Sequence, residues 1–214
     1  MKITIITLYP DAIRPYLDTS ILGRAQRNKI IDIEIINLRD FGIGKHKQVD
    51  DTPYGGGAGM VLRPDVVVPA INKIKDKSPN VKIILLSPAG KQFDQKIALQ
   101  LSKIDHIALV CGRFEGFDAR IEKHCDEVIS IGPYVSAGGE IPALAIIEST
   151  ARLIPGVLGN ELSITDESYV NDTIEYPQYT KPEVFNGMKV PDVLLSGNHG
   201  EIAKWREENR ETVA

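Results

Sequence analysis

Apolar positions recur with two different periods as far as Pro155, and the switches between them mark out the elements. Lys2 to Leu8 is a β-branched run that stops at Tyr9-Pro10, which predicts a buried strand closed by a turn. Asp11 then offers a cap for a short helix through Leu17, and Ser20 a cap for a second helix carrying Leu22, Arg24 and Ala25. Ile31 to Leu38 alternates polar with apolar residues and predicts another strand. Residues 42 to 59 hold two glycine clusters and neither period. Val66, Ala70, Ile71 and Ile74 return to helical spacing within Asp65 to Lys75.

One theme follows three times: a short apolar strand runs into a loop rich in Gly or Pro. Lys82 to Leu86 leads into Ser87-Pro88-Ala89-Gly90, and Ile107 to Val110 into Cys111-Gly112-Arg113-Phe114-Glu115-Gly116. The loops of both predict an amphipathic helix after them. Val128 to Ser130 leads into residues 131 to 140, with a helix to about Leu153. Strands alternating with helices predict an α/β fold with a mostly parallel sheet covered on both faces. After Pro155-Gly156 the chain turns polar and reads as a linker up to 182. His199 to Arg210 is the clearest helix beyond it, and Trp205 reads as the core anchor of a small domain.

Composition changes little in this picture. With 214 residues, 43% hydrophobic and 25% charged, the chain suits one large domain with a small appendage. Cys111 and Cys125 lie too far apart in sequence for a metal or redox C-x-x-C and read as two reduced thiols. No leader segment or membrane-length apolar run is present in the sequence, so the expected compartment is the cytoplasm, with no membrane partner. A net charge of −4 argues against a protein that coats nucleic acid. Arg24, Arg27, Lys29, Arg39, Lys45 and Lys47 offer either a phosphate-tracking stripe or an ordinary solvated face.

In an open parallel sheet, ligands bind outside the carboxyl ends of the strands. All three glycine-bearing loops are predicted there, where small residues let backbone approach a ligand. No G-x-G-x-x-G follows a first strand, and Tyr54-Gly55-Gly56-Gly57-Ala58-Gly59-Met60 lacks the Lys-Ser/Thr of a phosphate loop. No metal-ligand spacing and no G-x-S-x-G elbow occurs, so no metal site is predicted. The residues alone reach an α/β enzyme that binds a small nucleotide-like ligand.

The same segments, taken in order, resemble the bacterial tRNA (guanine-N1-)-methyltransferase family, the TrmD type of the SPOUT superfamily. The likeness runs through Tyr9-Pro10, Gly23-Arg24-Ala25, Arg39-Asp40-Phe41 and Val49 to Met60. It continues through Ser87-Pro88-Ala89-Gly90, Cys111 to Gly116, Ser130-Ile131-Gly132 and Gly138-Gly139-Glu140. Arg152 to Asn160, Tyr176 to Thr180 and Val193 to His199 complete it, so it covers nearly the whole chain.

That resemblance implies a SPOUT-type α/β domain over 1–159, with a deep trefoil knot that binds S-adenosylmethionine. It implies a linker over 160–181 and a small helical tRNA-binding domain over 182–214. The partners implied are tRNA and a second copy, in a homodimer with its active site at the interface; the reaction is methylation of N1 of guanosine 37, supporting reading-frame maintenance. The cofactor contacts carried over fall on Leu86, Ser87 and Pro88, then Gly112, Phe114, Glu115 and Gly116, then Ser130, Ile131 and Gly132. Tyr134, Ser136, Gly138, Gly139 and Pro142 complete them. Glu115 is also a candidate for the active site itself, and the resemblance allows Mg2+.

Guanine N1 becomes nucleophilic only when its proton leaves, which calls for a carboxylate base and a cation near O6. Arg152 matches the family's arginine, and it also suits a helix C-terminus on dipole grounds. Counted from Arg152 without a gap, the family's catalytic aspartate falls on Glu167, with Asp166 as its neighbour and the alternative. Pro133 before Tyr134 replaces an aspartate and removes one N–H donor, Ser136-Ala137 before Gly138 is unusual, and the chain stops soon after Trp205-Arg206, which shortens the tRNA-gripping tail. The competing expectations are a SPOUT methyltransferase with another RNA target, or a cofactor-binding RNA-binding protein of reduced activity.

Overall fold

Strand β1 (Lys2–Thr7) lies second from one edge of a five-stranded sheet, between the edge strand β2 (Asp32–Asn37) and the central strand β6 (His106–Cys111). Beyond β6 come β5 (Lys82–Gln92) and the edge strand β7 (Glu127–Ser130), giving the order β2-β1-β6-β5-β7. Every pairing in this sheet is parallel. Outside it, the short strands β3 (Asp50–Asp51) and β4 (Val61–Leu62) pair antiparallel and bracket the glycine-rich stretch. A computed structural model gives this architecture, and it describes residues 1–159, 168–169 and 173–212.

Alternation along the strands feeds two separate cores. Ile3 and Ile5 of β1, Ile84 and Leu86 of β5, and Ile107 and Leu109 of β6 face one side. There they meet α1 (Pro10–Leu17), α2 (Ser20–Arg27), α4 (Gln95–Leu101) and α5 (Glu140–Ala151) through Ile13, Leu22, Ile97 and Ile146. Ile6, Ile83, Leu85 and Val110 face the other side, against α3 (Pro64–Lys77) with its Val66, Ala70 and Ile71. Side chains of successive strand residues point to opposite faces, so near-continuous apolar strands are what a doubly covered sheet requires. Each fully buried Ile or Leu contributes about 1.5–3 kcal/mol by leaving water. The two cores therefore fix the strand tips on which the site depends.

Three local expectations shift. Tyr9 and Thr19 are the N-caps, so Asp11 lies in the first turn of α1 and Ser20 is the first residue of α2, at φ 50°. Pro10 opens α1, where its missing N–H costs nothing. The strand at Lys82 does not end at Leu86: it leaves register, then rejoins β7 at Lys91 and Gln92. Pro88 cannot donate to a ladder, which accounts for the break. The second loop leads into a 3-10 turn, Ala119–His124, rather than an amphipathic α-helix.

The chain divides into two compact units, Met1–Gly159 and Asn160–Ala214. In the second, β8 (Thr173–Ile174) pairs with β11 (Glu211–Thr212), and β9 (Val184–Phe185) with β10 (Met188–Lys189). A one-turn helix, Asp192–Leu195, precedes the helix His199–Glu208, which Asn198 caps through the amides of Gly200 and Glu201. Trp205 meets the rings of Tyr176 and Tyr179 edge-on at 6.4 and 6.3 Å. Among the described residues no helix is long and apolar enough to cross a membrane.

Candidate active site

The register break of β5 after Leu86 lies beside the carboxyl ends of β6 and β7, and the three segments that follow line a cavity of about 300 Å³. That volume suits a nucleoside-sized ligand. Leu86, Ser87 and Pro88 reach it from the first loop. Gly112, Phe114, Glu115 and Gly116 come from the second, and Ser130, Ile131, Tyr134 and Ser136 from the third. Gly138, Gly139 and Pro142 close the side where α5 begins. Of the residues expected to contact a cofactor, Gly132 alone does not line the cavity; it lies beneath Tyr134, whose ring a Cβ on Gly132 would meet at 2.5 Å.

Loops two and three are fastened to each other. The Gly139 amide donates to the Gly112 carbonyl at 2.8 Å, and Arg113 and Gly138 form an antiparallel bridge. Loop two also takes in the glycine-rich stretch: the Glu115 amide donates to Met60 and the Leu62 amide to Gly116, both at 2.9 Å. Gly59 sits at φ 79°, a left-handed conformation that favours glycine, beside the Glu115 side chain. Phe114 sits at φ 59°, a strained conformation for a non-glycine residue that its bracing on both sides sustains.

Under these loops lies a network that sequence reasoning missed. Glu140, 5% exposed, accepts from Thr7 Oγ1 at 2.7 Å and from Arg113 Nε at 3.1 Å. Arg113 Nη1 donates to the Ala137 carbonyl at 3.1 Å, and its guanidinium lies 4.5 Å over the Tyr9 ring. The available signal was a lone arginine directly after Gly112 and a glutamate directly after Gly138-Gly139. Burial, then the nearby Glu140 charge, push the Cys111 thiol well up from its ordinary value, and burial raises Cys125 to about 11. Both cysteines are free and neither is an activated nucleophile.

Arg152 is not part of the cavity. It caps the carboxyl end of α5, which at about 1.5 Å per residue sets it about 20 Å from Gly139 and about 15 Å from Pro142. Glu167 and Asp166 lie outside the described residues. A wider depression of about 630 Å³ shares Phe117 with the first and carries Tyr54, Arg63 and Arg120. Its cations are already paired, Arg63 with Asp51 and Asp65 and Arg120 with Asp118. The Arg120 guanidinium holds the Asp118 carboxyl below its ordinary value.

The donor set of the first cavity suits a cationic, nucleoside-like ligand. Leu86, Ile129 and Ile131 give an apolar floor, Glu115 and Glu122 supply negative charge, and Phe114 and Tyr134 offer ring faces. Gly139 lies so close to the Cys111 and Gly112 backbone that a Cβ would fill the space between them. Among the described residues no three His, Cys, Asp or Glu side chains are grouped to hold a metal ion.

Fold and site together define a parallel-sheet α/β protein with a nucleoside-sized cavity at its strand tips. The profile of the family described as "tRNA (Guanine-1)-methyltransferase TrmD" matches residues 1–213, and the chain belongs to that family. A protein of Thermus thermophilus named tRNA (guanine-N(1)-)-methyltransferase is 50% identical over 216 residues, covering 100% of this chain and 89% of its own length. Proteins with the same name from Clostridium botulinum and Clostridium perfringens are 50% and 52% identical, each covering 96% of this chain and 86% of its own length.

Proposed function

We propose that this chain is a cytoplasmic enzyme that moves a methyl group from S-adenosylmethionine to N1 of guanosine 37, just 3′ of the anticodon in tRNA. The family match over residues 1–213, joined to the cavity at three loop tips, carries this reading. The donor occupies that cavity, held by the three loops, and the proposed topology there is a deep trefoil knot. When bound, S-adenosylmethionine supplies a methyl group on a positively charged sulfur.

The remaining chemistry belongs to the chain. A linker carboxylate, Glu167 by register or its neighbour Asp166, takes the proton from guanine N1. Arg152 faces O6 as negative charge gathers there, a task suited to a guanidinium. Residues 1–159 form the donor domain; of the stretch 160–181 expected as linker, Thr173–Ile174 pairs with β11 and Tyr176 and Tyr179 pack on Trp205, so these residues belong with 182–214 in the unit that holds tRNA.

Arg152 is too far from the cavity of its own chain to serve it, about 15 Å along α5 from Pro142 in the cavity lining. A homodimer resolves this by bringing Arg152 of one protomer to the cavity of its partner. The outward face of α5 supports such an interface: Ile141 is 65% exposed, and Leu144 and Ala145 follow it at helical spacing.

Methyl transfer to tRNA transcripts carrying G or A at position 37 tests the assignment. Transfer to the G37 transcript alone is expected; equal transfer to both, or to neither, overturns it. Repeating the assay in EDTA shows whether magnesium, which the family resemblance allows, takes part.

A further inference from the structure

We propose that Glu140, Arg113 and Thr7 form a positioning strut that sets the width of the donor cavity and thereby the affinity for S-adenosylmethionine. This rests on reading that cavity as the donor site. The strut ties together three chain segments distant in sequence: the tip of β1, loop two, and loop three with the start of α5.

Its centre is a carboxylate whose side chain is 6% exposed. Burying a carboxylate is unfavourable unless charge and hydrogen bonds compensate, and Glu140 has both. Thr7, itself fully buried, donates to one oxygen while its hydroxyl accepts from the Tyr9 amide at 3.0 Å, so neither role is spare. Arg113 donates to the other oxygen. Glu140 is also the first residue of α5, where negative charge opposes the helix dipole favourably.

Loop three rests directly on the ion pair. A Cβ on Gly138 would lie 2.4 Å from Arg113 Nε and 2.6 Å from Glu140 Oε2. Arg113 holds two partners at once, Glu140 through Nε and Ala137 through Nη1, while its face lies over Tyr9. A lysine offers one ammonium at the end of a flexible stem and cannot reproduce that fork. Any change in the Arg113–Glu140 separation therefore moves Ala137 to Gly139 against Gly112 and shifts the two cavity walls that join there. Glu140 and Thr7 act only through the loops they join.

The test is titration of S-adenosylmethionine into the full chain, with steady-state kinetics on G37 tRNA, for the wild type, Glu140→Gln, Arg113→Lys and Thr7→Val. The first two variants are expected to weaken donor binding about tenfold or more, and Thr7→Val about threefold. KM for S-adenosylmethionine should rise in step, while KM for tRNA and kcat at saturating donor stay within about threefold of wild type. A general loss of folding would not produce that split. If Glu140→Gln does not fold, Thr7→Val and Arg113→Lys carry the same comparison. Unchanged donor affinity in variants of a binding wild type overturns the strut alone, as does a joint rise in both KM values. A wild type that binds no donor overturns the reading of the cavity and the strut with it.

Discussion

A Cβ placed on Gly139 would lie 2.6 Å from the Cα of Cys111, so loops two and three meet at backbone distance. Neither side can yield as a flexible side chain would. Gly139→Ala is expected to push the loops apart, cost about 1–3 kcal/mol of stability and weaken S-adenosylmethionine binding. Urea unfolding and donor titration on the same protein check both effects. A variant with wild-type stability and affinity would show that the contact is slack.

Much of this arrangement could be read from the chain before its coordinates. Apolar runs at Lys2 and Ile107 become the paired strands β1 and β6, because a strand buried on both faces has no polar side to display. The three loops were legible because Gly and Pro punctuate strand ends, and the cavity is lined by 14 of the 15 residues that the family resemblance placed there. What stayed hidden is non-local. Nothing around Ser87 to Gly90 reveals that the chain will rejoin β7 at Lys91. Nothing in sequence joins Thr7 to Glu140, separated by 133 residues and paired through one buried hydrogen bond. A pattern with a period of two or 3.6 residues reports which face is buried, never which distant polar group waits there.

Replacement of the linker acids separates their roles. Glu167→Ala is expected to lower single-turnover methyl transfer to G37 tRNA about 100-fold or more, the usual contribution of a general base. Asp166→Ala should retain most activity, and neither change should alter donor affinity. The reverse pattern would move the base by one residue.

Placing Arg152 across the interface predicts a particular complementation. Arg152→Ala alone should bind the donor normally and lose turnover, and Gly139→Ala alone should bind it poorly. A mixed dimer of the two contains one site with an intact cavity and an intact partner Arg152. Activity should therefore appear on mixing and reassociating two impaired proteins, reaching about half the wild-type rate per dimer if sites act independently. No recovery in verified mixed dimers would put Arg152 and the cavity to work within one protomer.

His106 links pH to stability. Its ring is buried, with Nε2 2.9 Å from Thr4 Oγ1 and Nδ1 2.9 Å from Ser78 Oγ. Burial, then the Lys2 charge, lower its affinity for a proton below the ordinary histidine value. As pH falls, the unfolded chain takes up that proton first, so acid favours unfolding. The stabilisation is complete above about pH 6.5 and is lost on the way down to the depressed folded value. Urea midpoints measured between about pH 8 and 5 should fall less steeply for His106→Gln than for wild type. Parallel slopes would mean that other groups carry the acid response.

The second unit stands on much less buried surface than the first. Among its described residues Tyr176, 8% exposed, is the one hydrophobic side chain in the buried class, while Val184, Phe185, Met188 and Leu195 are 49–66% exposed. Trp205 supports Tyr176 and Tyr179, with Arg206 5.0 Å over the Tyr176 ring. Ring contacts of this kind add about 0.5–1.5 kcal/mol each and cannot replace a core. Trp205 is also the sole tryptophan of the chain, so its fluorescence reports this unit alone. Its urea transition should precede the far-ultraviolet circular dichroism transition, which α1 to α5 dominate, by about 1 M or more. Coincident transitions would show instead that the small unit unfolds only together with the sheet.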